Sequence, residues 1–176
     1  MLSMSSPSYE PKPALPADVH ARLEAYYTRY YRDTLGIPGW RDLVEVRLAD
    51  EAYEGKCLGR LERALGRPLE GARLLNVGCG TGGFNAIAQW TGVEAWGVDA
   101  SAEAAAIAKT RVFGGRILCA PAESLPFRDQ TFDIVYCFST LEHVGDAGTA
   151  LREMVRVLCP KGALFLHTPS RWACFE

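Results

Sequence analysis

The chain is poor in the residue types that most often carry chemistry on their own. It has three histidines, His20, His143 and His167, and its six cysteines (Cys57, Cys79, Cys119, Cys137, Cys159 and Cys174) form no C-x-x-C pair. Without clustered ligands no metal site is expected. Thiols scattered through apolar runs read as reduced, which predicts a cytoplasmic setting. No apolar run reaches the ~18 residues a membrane span needs, and the first residues lack the basic and apolar blocks of a secretory signal. Neither sign of charge is in excess: the formal net charge is −2, with a pI near 6.0. Neither nucleic acid nor an anionic membrane is therefore expected as a partner, and a small or neutral ligand fits better. What is present is 48% hydrophobic content in 176 residues, enough for the core of one globular domain.

Residues 1–16 are rich in Ser and Pro, with Pro7, Pro11, Pro13 and Pro16 opposing regular structure, and read as a flexible leader. From Ala17 to about Leu35, Val19, Leu23, Tyr27 and Tyr30 recur at helical spacing up to Gly36. A second helix is expected from Leu48 to Leu65, closed by Gly66 and weakened by Gly55 and Gly59. Residues 17–68 thus form an N-terminal helical layer. After Pro68 the pattern changes to strands alternating with helices. "ARLLNV", "VEAWGVD", "GRILCA", "FDIVYCF" and "ALFLHT" read as strands; "FNAIAQW", "SAEAAAIAKTRV" and "AGTALREMVRVL" read as helices, the last two capped by Ser101 and Asp146. This alternation over residues 69–176 predicts an α/β fold with a parallel sheet.

The stretch "NVGCGTGGFN" holds four of the chain's 17 glycines. A glycine at Gly78 allows a sharp turn at a strand end, and glycines at Gly80 and Gly82 remove Cβ atoms that would hold a ligand off the backbone. The helix that follows offers its partial positive charge to a polar or anionic group. Asp99 ends the second strand 21 positions after Gly78, where a carboxylate can accept hydrogen bonds from a ribose diol. The combination points to a nucleoside ligand. Gly78, Gly80 and Gly83 also satisfy G-x-G-x-x-G, so a dinucleotide stays open at this point.

"LLNVGCGTGGF", "GVDAS" from Gly97 to Ser101, "ESLPFRDQTFDIVYCFSTLEHV" from Glu123 to Val144, and "LREMVRVLCPKGALFLHTP" from Leu151 to Pro169 stand in a fixed order. Over about residues 70–170 the chain resembles the class I S-adenosylmethionine-dependent methyltransferases of the small-molecule group. The resemblance implies a Rossmann-like sheet of order 3-2-1-4-5 with helices on both faces. It implies S-adenosylmethionine as cofactor and S-adenosylhomocysteine as product. It also implies methyl transfer to an O, N or C nucleophile of a small molecule. Carried onto this chain, the cofactor contacts are Asn76, Gly78, Cys79, Gly80, Gly82, Asp99, Ala100, Ala122, Glu123 and Phe138. The glycines would pass the methionyl group and ribose, Asp99 the ribose hydroxyls, the backbone near Ala122 the adenine, and Phe138 the methionyl group. Pro121 departs from the family, which commonly places an Asp there against the adenine; Glu123 or backbone groups are the substitutes.

Methyl transfer from a sulfonium asks mainly for alignment and exclusion of water. Where the acceptor must lose a proton, His143, just after the fourth strand, is the candidate general base; the alternative is that "LEHV" is only the first turn after that strand. His167 is a strand residue near the ligand end of the sheet. In "YYTRYY", Tyr27 and Tyr30 are expected to pack inward and Tyr26 and Tyr31 to face outward, with aromatic cover of the sulfonium as the other reading. The family's sheet continues past the fifth strand, so its strands six and seven are expected to be missing from these residues, through a shortened chain or replacement by a partner subunit. The fifth strand is then an edge able to support self-association. Besides methyl transfer, two readings stay open: a non-catalytic cofactor-binding subunit and an NAD-dependent oxidoreductase.

Overall fold

The computed structural model describes residues 15–49 and 51–169. The expected leader lies outside the described residues except for Leu15 and Pro16. Five parallel strands, β1 (Arg73–Val77), β2 (Glu94–Asp99), β3 (Ile117–Cys119), β4 (Phe132–Phe138) and β5 (Leu158–His167), form one sheet of order β3-β2-β1-β4-β5. Helices α4 (Gly83–Trp90), α5 (Ala102–Arg111) and α6 (Ala147–Val157) connect them, while residues 120–131 cross from β3 to β4 without a helix. The fold is the expected Rossmann-like α/β architecture.

Strand alternation assigns the two faces. Leu74, Ile134 and Tyr136 point to one side, where Leu58, Leu61, Phe84 and Ala88 cover them. Leu75, Val77, Val135 and Cys137 point to the other, against Ala150, Met154 and Val157 of α6. Both faces are buried, so the strands read as near-continuous apolar runs rather than alternating ones. Ser101 and Asp146 cap α5 and α6 through the backbone N–H groups of Ala104 and Thr149. At its start β5 bulges: Phe132 pairs Leu158 but Ile134 pairs Ala163. β5 is an edge strand of the described sheet.

The N-terminal layer departs from the expectation in two ways. Two helices stand where one was expected around residue 48: α2 (Trp40–Ala49) and α3 (Glu51–Leu65). Among the residues of α2 whose burial is described, only Val44 is fully buried, so the sequence shows little of the apolar stripe that marks a helix. The first helix is α-helical only as α1 (Ala17–Thr28); Arg29–Thr34 is a wider π turn, closed by Leu35 N–H to Tyr30 O at 3.0 Å. The additional residue in the turn rotates the following side chains. Tyr31, expected outside, is therefore buried, and Arg47 Nε donates to its hydroxyl at 3.0 Å. Tyr26, also expected outside, is half-buried. Val19 and Leu23 of α1 pack on Ile107 of α5, and Arg29 pairs with Glu103, seating this layer against the second βα unit.

Candidate functional site

Ligands of an open α/β sheet bind beyond the carboxyl ends of its strands, where the strand order reverses. Here the order reverses between β1 and β4, and the crevice lies beyond their carboxyl ends. The turn from β1 into α4 is held down by two bonds, from Gly78 and Cys79 N–H to Val98 O, both 2.9 Å. Gly78, Gly80 and Gly82 all have positive φ, 76°, 53° and 79°, a region that L side chains rarely occupy.

The three glycines serve different neighbours. A Cβ on Gly78 would stand 2.1 Å from Thr140 Oγ1, because the loop after β4 lies directly on the turn. A Cβ on Gly82 would meet Ala108 Cβ at 2.9 Å, so that glycine lets α4 and α5 close together. A Cβ on Gly80 would meet nothing within 4 Å. Gly80 is thus the glycine that faces open space, beside Asp99. Gly83, the third member of the literal dinucleotide pattern, packs against Glu54 of α3.

Asp99 organises this corner. Its Oδ2 accepts from Gly80 N–H at 2.7 Å and its Oδ1 from Ser101 N–H at 2.8 Å, which ties the glycine turn to the start of α5. Each oxygen keeps a further lone pair for a hydroxyl. An open glycine beside a fixed carboxylate, next to a helix N-terminus with no side-chain cap, fits the ribose and charged methionyl ends of S-adenosylmethionine. Bound there, that cofactor supplies an electrophilic methyl group on sulfur.

The other expected contacts fall in different surroundings. Asn76 is buried, its Nδ2 donating to Asn85 Oδ1 at 2.7 Å, and Asn85 in turn donates to Trp96 O. The Cys79 side chain packs among Ala86, Ala105 and Ile117, and burial pushes its thiol pKa far up. Gly97 leaves it room: a Cβ there would lie 2.9 Å from Cys79 Sγ. Ala122 is buried under α6, and Ala100 sits exposed where β2 gives way to α5. Glu123 Oε1 accepts from the N–H groups of Gly145 and Asp146 at 2.8 and 3.3 Å, which engages it with the loop before α6; its pKa is lowered first by its own backbone N–H and then by these two. Phe138, half-buried, ends β4 beside Ser139, whose φ of 50° is an uncommon left-handed value for a serine. His143 lies exposed on the short 3-10 turn Leu141–His143.

Several residues at this corner went unnoticed in the sequence. Thr81, buried inside the glycine turn, shares a 2.8 Å hydrogen bond with the Tyr27 hydroxyl and accepts from Arg111 Nη1 through both its carbonyl (2.9 Å) and its hydroxyl (3.2 Å). Thr140 Oγ1 donates to Val77 O at 3.2 Å. Tyr26 is pushed up to about 12 by burial and then by the charge of Asp99. Tyr30 is raised by burial first, with Glu142 and Asp99 among the charges acting on it. Both tyrosines thus feel the negative charge of Asp99. A separate shallow cleft bounded by Arg67, Glu70, Asp133, Cys159 and Lys161 lies at the opposite, amino-terminal end of the strands.

Known proteins agree with this geometry. The family model described as a methyltransferase domain matches residues 75–166. A ubiquinone biosynthesis O-methyltransferase of Sinorhizobium fredii is 32% identical over 109 residues, 60% of this chain and 44% of its own length. The O-methyltransferase resE of Aspergillus sclerotiorum is 33% identical over 162 residues, 84% of this chain and 59% of its own. The chain therefore spans about half the length of these curated relatives. A crystal structure of a SAM-dependent methyltransferase from Thermotoga maritima superposes with a TM-score of 0.52 at 29% identity, covering 82% of this chain and 58% of that one. One from Mesorhizobium loti gives 0.52 at 27%, covering 60% and 49%. With its sheet order, its glycine turn and more than half its length matched, the chain belongs to the methyltransferase domain family.

Proposed function

We propose that this chain serves methyl transfer from S-adenosylmethionine to a small-molecule O, N or C nucleophile. The names of the two curated relatives favour oxygen. The observation that carries the reading is the pairing of Asp99 with Gly80, the one glycine of the turn whose missing side chain opens onto free space. Asp99 binds the ribose hydroxyls, Gly78 and Gly80 line the path of the methionyl group, and the N-terminal helices, residues 17–68, cover the site. His143 is the candidate base, on the turn that follows β4. A cytoplasmic setting is supported by the five free cysteines among the described residues, and no described helix is long and apolar enough to cross a membrane. The exposed edge of β5, with Leu166 at 41% exposure, supports self-association, to be read as concentration-dependent dimerisation in sedimentation velocity.

Calorimetric titration with S-adenosylmethionine, S-adenosylhomocysteine and NAD tests the reading. The adenosyl ligands are expected to bind and Asp99→Asn to weaken them at least about tenfold, the worth of one hydrogen bond to a charged group. Binding of NAD alone would sink the proposal in favour of an oxidoreductase. Binding without turnover of any acceptor would favour the non-catalytic subunit. His143→Ala is expected to lower kcat by ~10²-fold or more with unchanged S-adenosylhomocysteine affinity, as removal of a general base does; an unchanged kcat leaves the histidine a turn residue.

A further inference from the structure

The glycine turn is held at Thr81 by a polar ring of side chains that the expected cofactor contacts do not include. Arg111, the last residue of α5, lays Nη1 against both acceptors of Thr81, the carbonyl at 2.9 Å and the hydroxyl at 3.2 Å. From Thr81 the ring passes to the Tyr27 hydroxyl at 2.8 Å, and Tyr27 stacks on Tyr31 with ring centres 6.0 Å apart at 14°. Arg47 Nε donates to the Tyr31 hydroxyl, and Arg47 Nη1 stands 3.7 Å from Glu54 Oε1. The ring closes over Gly83: a Cβ there would lie 3.0 Å from Glu54 Oε1 and 3.4 Å from Arg111 Nη2, so carboxylate and guanidinium face the same point. Side chains from α1, the π turn, α2, α3 and α5 thus meet in one circuit, which enters the glycine turn at the buried Thr81.

Thr81 stands between Gly80 and Gly82, both at positive φ. Glycine gives the backbone little conformational preference of its own, so a peptide flanked by glycines keeps its orientation only where its polar groups are held. The peptide joining Thr81 to Gly82 is held at both edges: its N–H donates to Cys79 O at 3.0 Å and its carbonyl accepts from Arg111. Close before it, Gly80 N–H reaches Asp99 Oδ2 at 2.7 Å. Arg111 therefore fixes the buried end of the short stretch whose open end sets Gly80 against Asp99. A basic residue in the last turn of a helix commonly serves that helix's own carbonyls. Arg111 instead reaches a turn 30 residues earlier, with the added strength of a charged donor.

We propose that Arg111 is a positioning residue for the cofactor: by fixing the carbonyl and hydroxyl of Thr81 it holds Gly80 open beside Asp99, and through Tyr27 and Glu54 it makes that geometry depend on the seating of the N-terminal layer. The inference rests on the methyl-transfer reading. Arg111 acts through the turn and takes no part in the transfer itself.

The test is the affinity of the whole chain for S-adenosylhomocysteine, measured beside the amide proton resonance of Gly80, which its short bond to Asp99 places downfield. Arg111→Gln is made together with Glu54→Gln, so that no carboxylate is left facing the vacated point, and Glu54→Gln alone is the control. The double variant is expected to weaken S-adenosylhomocysteine at least about tenfold, the worth of one hydrogen bond to a charged group, and to move the Gly80 amide upfield. The control should change both far less. Thr81→Val, which keeps the shape and the carbonyl but loses the hydroxyl, should weaken the ligand about threefold, within the worth of one neutral hydrogen bond. Thr81→Ser, which keeps both acceptors, should show wild-type affinity and resonance. Wild-type affinity in the double variant, an equal loss in the control, or lost affinity with the Gly80 amide unmoved overturns the positioning role and leaves the cofactor reading standing. Should the double variant fail to fold, the Thr81 pair decides, and equal affinities of Thr81→Val and Thr81→Ser overturn the inference. Failure of S-adenosylhomocysteine to bind the wild-type chain overturns the methyl-transfer reading and this inference with it.

Discussion

A glycine with positive φ can be required by a ligand or by the protein's own packing, and the two requirements separate under substitution. At Gly80, alanine meets empty space and suffers only the left-handed backbone, a cost of about 1–2 kcal/mol. At Gly82, the same backbone cost is joined by overlap with Ala108, together about 2–5 kcal/mol. Thermal unfolding is expected to rank Gly82→Ala well below Gly80→Ala. Titration with S-adenosylhomocysteine should show Gly80→Ala losing affinity although most of its stability remains. Equal melting temperatures for the two variants would contradict the division. The sequence alone marked the turn as a candidate ligand site, through its position between an apolar run and a helix. It could not sort the glycines, because the deciding neighbours, Thr140 and Ala108, lie 62 and 26 residues away in the chain. Asn76 and Cys79 show the same limit: both sit inside the motif, yet their side chains are spent on Asn85 and the α4–α5 core.

Elements with strong local patterns were legible; those positioned by tertiary contact were not. The strands and helices after residue 72 follow from apolar runs, caps and glycine stops, and they stand within a few residues of expectation apart from β5. That strand begins at Leu158 rather than Ala163, because the bulge lets it pair Phe132 despite Gly162. The π turn after α1 has no sequence signal, yet it decides which tyrosine faces the core. Two predictions concern how elements are tied. Tyr27→Phe removes the bond between α1 and the glycine turn and should cost about 1 kcal/mol, seen as faster amide exchange in α1 with the sheet unchanged. Arg73 at the start of β1 grips Asp133 of β4 through two side-chain bonds of 2.8 and 3.1 Å, which lower the carboxyl pKa. A depressed carboxyl stabilises the fold above its unfolded pKa of about 3.9 and loses that contribution as pH falls through the lower folded value. Arg73→Ala should therefore flatten the acid limb of the stability curve below about pH 4 and lower the plateau above it. The pair is exposed to solvent, so the change at neutral pH should be small. An acid limb unchanged from wild type would assign the pair no role.

At the scale of the whole molecule, the candidate site is where three parts of the chain converge. Asp99 joins the glycine turn to α5, Thr140 brings the end of β4 onto the same turn, and Tyr27 fastens the N-terminal layer to Thr81 within it. A ligand seated among them touches groups from all three, so its binding energy opposes the separation of any one. Ligand at about 100 times its Kd adds roughly 2.7 kcal/mol of stability, which for a chain of this size raises the melting temperature by about 5–10 °C. S-adenosylhomocysteine is accordingly expected to shift a single cooperative transition upward by that amount, with near-ultraviolet dichroism, which senses the tyrosine layer, and far-ultraviolet dichroism, which senses the sheet and helices, moving together. Asp99→Asn should lose most of the shift while keeping a single transition. Were the ligand to move the far-ultraviolet curve alone, the N-terminal layer would melt independently of the site. The tyrosines of residues 26–31 would then be packing for α5 rather than part of the wall that closes over the cofactor.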